Sequence, residues 1–296
     1  MNKPQWITIG VALACVASIY AFTSVKPPKG KPKPAAVTGH DEQGGNHEGH
    51  DHEGGLHVIA TDTLLNLAKK QLNPEQQLRL TTLEKGITRG DVKEQQLHVY
   101  HQLAKFWRDS VGIFIPYAWY TSEAARLENS EKSLTFAAHL LLTFLPREKN
   151  PELRTWEGLQ AKDLFERSLK LNPGNDSSIV GLGAAHLYGN LSPDKPMEWL
   201  SHVKKVHEKD STNEFALNML VTGSMISGQY ENAVKRLKTL VSLHPQNAGY
   251  ILQLADVYDR TGDKKSAVEW YKKGLQHTET GEIKGEIEKR IKELQK

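Results

Sequence analysis

Residues 213–240 read NEFALNMLVTGSMISGQYENAVKRLKTL, and residues 247–274 read NAGYILQLADVYDRTGDKKSAVEWYKKG. Gly228 and Gly262 stand 34 residues apart, and so do Ala233 and Ala267. Self-similarity at that period marks a chain made by stacking one supersecondary unit. Each copy reads as two helices and a turn. The glycine ends the first helix, because it alone enters the left-handed region without a steric cost. The small residue before it, Val221 or Ala255, lets two helices approach closely, and Ala233 and Ala267 sit where the second helix crosses the first. One such hairpin cannot bury its apolar faces, so neighbours stack into an all-α solenoid with a continuous core.

The fuller series Leu254, Ala255, Tyr258, Gly262, Asp263, Ala267, Tyr271 and Gly274 resembles the signature of the tetratricopeptide repeat (TPR), with only the closing proline missing. One period earlier Leu220, Val221, Ser224, Gly228, Ala233, Leu237, Leu240 and Pro245 hold the same offsets, Ser224 replacing an aromatic. Upstream the pattern loosens. Leu182, Gly183 and His186, then Ala137, Ala138 and Leu141, then Leu103, Ala104 and Trp107 repeat the spacing of the first helix, and Pro173 and Pro146 echo the closing proline. Residues 176–213 read as a repeat with about four extra residues around Leu191 to Pro196, where Pro193 and Pro196 lengthen the turn. Residues 131–172 read as a hairpin with an enlarged loop from Pro146 to Pro151, and 91–128 as an atypical pair in which Pro116 begins a helix. Leu64 to Leu72 and Glu75 to Ile87 form a possible further pair. Ile283, Ile287, Ile291 and Leu294 share one helical face, which predicts a C-terminal capping helix with mixed charges outward. The organisation expected is a membrane anchor over 1–25, a linker over 26–56, degenerate hairpins over 57–175, TPR repeats over 176–278 and the cap over 279–296.

Pro4 to Val25 is a run of 22 residues without a charge. As a helix it spans about 33 Å, enough to cross a bilayer. The Ala-x-Ala triplet at Ala12 to Ala14 is badly placed for signal cleavage, and Ala12 is a poor residue three before Cys15 for lipoprotein processing, so an uncleaved single-pass anchor in a bacterial inner membrane is the preferred reading. Lys26, Lys29, Lys31 and Lys33 outnumber Lys3 and favour a cytoplasmic solenoid, although short N-terminal tails often stay inside while the rest is exported. The one cysteine lies in this run and reports nothing about redox compartment. The linker is Lys and Pro-rich, then Gly, His and acid-rich, and cannot bury apolar surface. His47, His50 and His52, near His40 and His57, are weak candidate metal ligands: imidazoles suit Zn, Ni or Cu, but flanking glycines offer no preformed geometry.

The net charge is +3 over 296 residues, with 38 Lys and Arg against 35 Asp and Glu interspersed, so nucleic-acid binding has little support. No phosphate loop, nucleophile elbow, paired-carboxylate or cysteine motif appears, which points away from an enzyme and from a cofactor. Trp107, Trp119, Trp156, Trp199 and Trp270 fall in predicted helices and read as core. The family resemblance implies that the first helix of each repeat lines a groove for a protein or peptide partner. Carried onto this chain, the groove is Asn218, Thr222, Met225 and Ile226, then Leu252, Asp256, Asp259 and Arg260, with Val180, Ala184, Leu187 and Tyr188 upstream. The carboxylate clamp of chaperone-binding relatives needs paired Lys, Asn and Arg, and only Asn218 and Arg260 are of that sort. An apolar or basic partner segment is expected instead, with Asp256 and Asp259 drawing cations. The function expected is a membrane-tethered interaction scaffold. A periplasmic holdase or assembly factor and a metal-handling protein are the alternatives.

Overall fold

The computed structural model describes residues 58–89, 93–193, 195, 197–279 and 281–296. The expected anchor, the linker with His47, His50 and His52, and Pro196 lie outside the described residues. Among those described, no helix is long and apolar enough to cross a membrane.

The described chain is helical throughout, with no strand. The helices are α1 (Thr61–Lys69), α2 (Pro74–Arg89), α3 (Lys93–Lys105), α4 (Phe114–Glu128), α5 (Glu131–Leu142), α6 (Pro151–Leu171), α7 (Asp176–Gly189), α8 (Leu200–Lys209), α9 (Glu214–Ile226), α10 (Tyr230–Leu243), α11 (Ala248–Arg260), α12 (Lys264–Leu275) and α13 (Gly281–Leu294). From α5 onward they stack as antiparallel hairpins, each second helix also packing on the first helix of the next pair. The TPR-like solenoid follows from this arrangement. We term α5, α7, α9 and α11 the A helices and α6, α8, α10 and α12 the B helices.

The helix ends are set by local chemistry. Gly228 and Gly262 lie in the left-handed region at φ 72° and 81°. Behind them Gln229 N–H donates to Ser224 O at 2.8 Å and Asp263 N–H to Tyr258 O at 3.0 Å, the closing bond of a Schellman cap. Asn129 and Asn190, at φ 55° and 53°, terminate α4 and α7 where no glycine is present. Four A helices start on a side-chain cap: Ser130, Asn175, Asn213 and Asn247 each accept a backbone N–H of the first turn. Asn213 and Asn247 are 34 residues apart and Asn175 and Asn213 are 38 apart, so the caps carry the repeat period and its four-residue insertion. Pro116 does fall in the first turn of α4, and Pro151 opens α6 behind the Asn150 cap.

The core forms layers along the stack. Ala233 and Ala267 are fully buried at their helix crossings. Gly274 serves the same end: a Cβ there would lie 2.4 Å from Leu252 Cδ2. Ser224, in place of an aromatic, is buried and bonded to its own helix at Leu220 O and to Arg236 Nη1 of α10. Trp107, Trp156 and Trp199 are buried as expected, while Trp119 and Trp270 are half-buried.

The first helices depart from the stack. The α4 helix lies over both α5 and α6, with Trp119 at 6.2 Å from Trp156 and Arg126 bonded to Asp163 and Gln160. The α1 helix rests on α4, and Trp156 Nε1 donates to Thr61 Oγ1 at 2.9 Å across 95 positions of sequence. Because α4 is drawn towards α6, the opposite side of α5 is incompletely covered and Phe136 stays 59% exposed. At the equivalent positions of α7 and α9, Gly181 and Met219 are buried under the preceding B helix.

Candidate functional site: the inner face of the A helices

The A helices are spatial neighbours, joined in sequence by polar contacts. Thr135 of α5 bonds Ser178 of α7 at 3.0 Å, and Asn218 of α9 donates to Tyr250 Oη of α11 at 2.9 Å. Together they present one continuous face, the side predicted to hold a partner.

The sequence-derived groove residues divide into three groups. Thr222, Met225 and Ile226 do lie together on the last two turns of α9, with Ile226 56% exposed and the other two half-buried. Upstream, Leu187 and Tyr188 are half-buried on α7, whereas Val180 and Ala184 are core residues packed with Trp199 and Val203. Leu252 is a correction: it is 4% exposed and fills the space over Gly274, so it belongs to the core beneath α12. The reason is geometric, since a glycine on the B helix pulls the A-helix leucine inward instead of leaving it on the face.

The acidic pair is also placed differently from the expectation that it draws cations. Tyr271 donates to Asp256 Oδ1 at 2.5 Å. Burial pushes the Asp256 carboxyl up to about 6, partly countered by that hydrogen bond. Asp259 is held by Arg290 of α13 through Nε at 2.6 Å and Nη2 at 2.9 Å, a bidentate grip. The capping helix thus spends the charge of Asp259 internally, and Ile287, Ile291 and Leu294 bury against Leu252, Ala255, Ala267 and Tyr271. Asn218, the other polar candidate, is committed to Tyr250, whose hydroxyl also donates to Glu214. Arg260 is exposed and has an interaction of its own.

The open part of the inner face therefore runs from α5 to α9 and is mostly uncharged. His139 and Phe215 extend it, and neither was singled out for it from the sequence. The His139 ring stands edge-on to Phe165 at 5.1 Å and lies 5.4 Å from Phe215, with Nε2 2.7 Å from Ser177 Oγ. Burial holds this imidazole below its ordinary pKa, so it is neutral at pH 7. The signal that could have found both was register: His139 and Phe215 fall at groove offsets once the Ser130 and Asn213 caps fix where α5 and α9 begin. No group of three or more His, Cys, Asp or Glu among the described residues is placed to hold a metal ion.

A family model, the tetratricopeptide repeat, matches residues 224–283. Among solved structures, the chain is similar to MamA (residues 41 to the end) from Desulfovibrio magneticus RS-1, at 20% identity and TM-score 0.46 over 64% of this chain and 96% of that one. It is similar to YrrB, described as a TPR protein with an unusual peptide-binding site, at 15% identity and TM-score 0.42 over 70% and 97% of the two chains. PilW, described as a widely conserved type IV pilus biogenesis factor, gives 15% identity and TM-score 0.44 over 71% and 90%. No curated protein matches the chain by sequence. Likenesses of this size carry no argument, and the assignment rests on the matched segment, its left-handed glycine caps and its alanine crossings. On that ground residues 224–283 form a tetratricopeptide-repeat segment within the helical solenoid.

Proposed function

We propose that this protein is a membrane-tethered interaction scaffold that holds an apolar, largely uncharged segment of a partner protein on the inner face between α5 and α9. The observation that carries the reading is the composition of that face: Leu187, Tyr188, Thr222, Met225 and Ile226 stay exposed or half-buried there, while the nearby acids are bonded within the fold. Methionine and branched aliphatic side chains adapt to a helix or strand laid across them, and specificity then comes from shape and not from ion pairing. The uncharged run from Pro4 to Val25 supports tethering, which raises the local concentration of a partner at the surface without demanding a tight groove.

The test is residue-specific photocrosslinking in cells with the reactive side chain at Ile226, compared with the same side chain at Lys238 on the B helix α10. A single discrete adduct from Ile226 and none from Lys238 is expected. Equal labelling from both positions sinks the inner-face reading. Placement of the solenoid on the cytoplasmic side, also part of the proposal, is tested by an activity reporter fused at Lys296: a signal confined to the periplasm overturns it.

A further inference from the structure

Away from the inner face, α6, α7 and α8 leave a cleft of about 410 Å³. That lies within the roughly 300–1,000 Å³ of small-molecule sites. One wall is a stripe of α7, Ile179, Leu182 and His186, and the other is Trp199 and His202 at the start of α8. Leu169 and Pro173 close the end where α7 begins, and Ser192 lies just beyond the end of α7. The cleft is built around Gly183. A Cβ there would come 2.9 Å from Trp199 Cε3, so the glycine lets the indole lie against the α7 backbone as a flat wall.

The two ends differ in chemistry. The end at Leu169, Pro173 and Ile179 is apolar. At the other, His186 Nδ1 lies 3.1 Å from Ser192 Oγ. Lys195 and Glu198 flank it with charges that offset each other. Burial, then Lys162, holds the imidazole of His186 below its usual pKa, so it is neutral at pH 7. An ionised ligand head in this half-buried place would lose hydration without a dedicated opposite charge, whereas a neutral oxygen matches the imidazole and hydroxyl. The indole wall favours a planar ring, which gains both area and ring geometry beside it. We propose that this cleft binds a planar ring bearing a neutral oxygen, of the phenol class, independently of the inner face.

The experiment titrates the full-length chain with 4-ethylphenol, ethylbenzene and N-acetyltyrosinamide, following the imidazole signals of His186 and His202 by NMR, assigned from His186→Phe and His202→Gln. Saturable shifts with 4-ethylphenol at least fivefold tighter than with ethylbenzene are expected, with that preference lost in His186→Phe. Tighter binding of N-acetyltyrosinamide than of 4-ethylphenol assigns the ring to a tyrosine of a polypeptide, and the reverse order to a free small molecule. Ile179→Trp fills the cleft and abolishes the shifts. Should that variant melt early, His202→Trp at the exposed rim makes the same test. Equal response to ethylbenzene, or binding that survives a filled cleft in a folded protein, overturns the proposal.

Discussion

Between α9 and α12 each hairpin closes over a buried alanine, Ala233 or Ala267, and ends its A helix on a left-handed glycine. Between α4 and α6 buried alanines recur, Ala137, Ala138 and Ala161, but the left-handed glycine does not: Asn129 takes its position, and Arg126, Trp119 and Trp156 tie α4 to α6 through residues 34 or more apart in sequence. In the first region equivalent positions do the same job in successive units, so stability is a sum of similar layers. In the second, single side chains do jobs that no other residue repeats. The difference teaches that damage spreads differently in the two regions.

The largest effect is expected from Trp156→Ala. The ring is buried among α1, α4, α5 and α6 and its N–H bonds Thr61, so its loss should cost about 3–5 kcal/mol by chemical denaturation. Hydrogen exchange should then show α1 and α4 loosened together while α9 to α12 keep their protection. Uniform loss along the chain would contradict the contrast between the regions.

Next comes a pH dependence seated in the irregular region. Glu157 of α6 is 1% exposed, and burial, with Glu148 adding to it, pushes its carboxyl up to about 8 from an ordinary 4.5. The folded state therefore binds this proton more tightly than the unfolded chain. Its stabilising share is complete below pH 4.5 and is lost as pH rises towards 8, a few kcal/mol in all. Glu157→Gln should remove that slope, so the variant gains on the wild type between pH 5 and 8 and not below. Parallel stability curves at every pH would refute the assignment.

Smaller effects belong to the regular region. Ala267→Leu overfills a helix crossing and should cost about 1–3 kcal/mol, with hydrogen exchange raised in α11 to α13 and unchanged before α7. Gly262→Ala meets open space, so only its φ of 81° is at stake and the loss should be about 1 kcal/mol. A neutral Gly262→Ala measured by denaturant titration would mean that the α11 cap does not depend on the left-handed residue.

The two regions also differed in how far they could be read in advance. The last two repeats were legible because their signals are local: a glycine that must adopt positive φ, an alanine that must be small, and apolar residues at helical spacing. The α6 and α7 helices also approach each other over a glycine pair, with a Cβ on Gly158 falling 2.7 Å from Gly189 Cα, but these glycines keep no period and gave no sign of their use. The groove was half legible. Thr222, Met225 and Ile226 could be placed by register alone, since a side chain's direction on a helix follows from its position. Leu252, Asp256 and Asp259 could not, because their fates depend on Gly274, Tyr271 and Arg290, which other helices bring to them.

By itself the sequence determined that this protein is an all-α stack of helix hairpins, where its regular units begin and end, and which face each A helix turns inward. Those follow from steric limits on single residues and from the 3.6-residue period of the helix. Only the tertiary structure decided which of the inward residues remain available. Burial and ion pairing are set by what a neighbouring helix delivers, and α13 places Arg290 on Asp259 through contacts that no local pattern encodes.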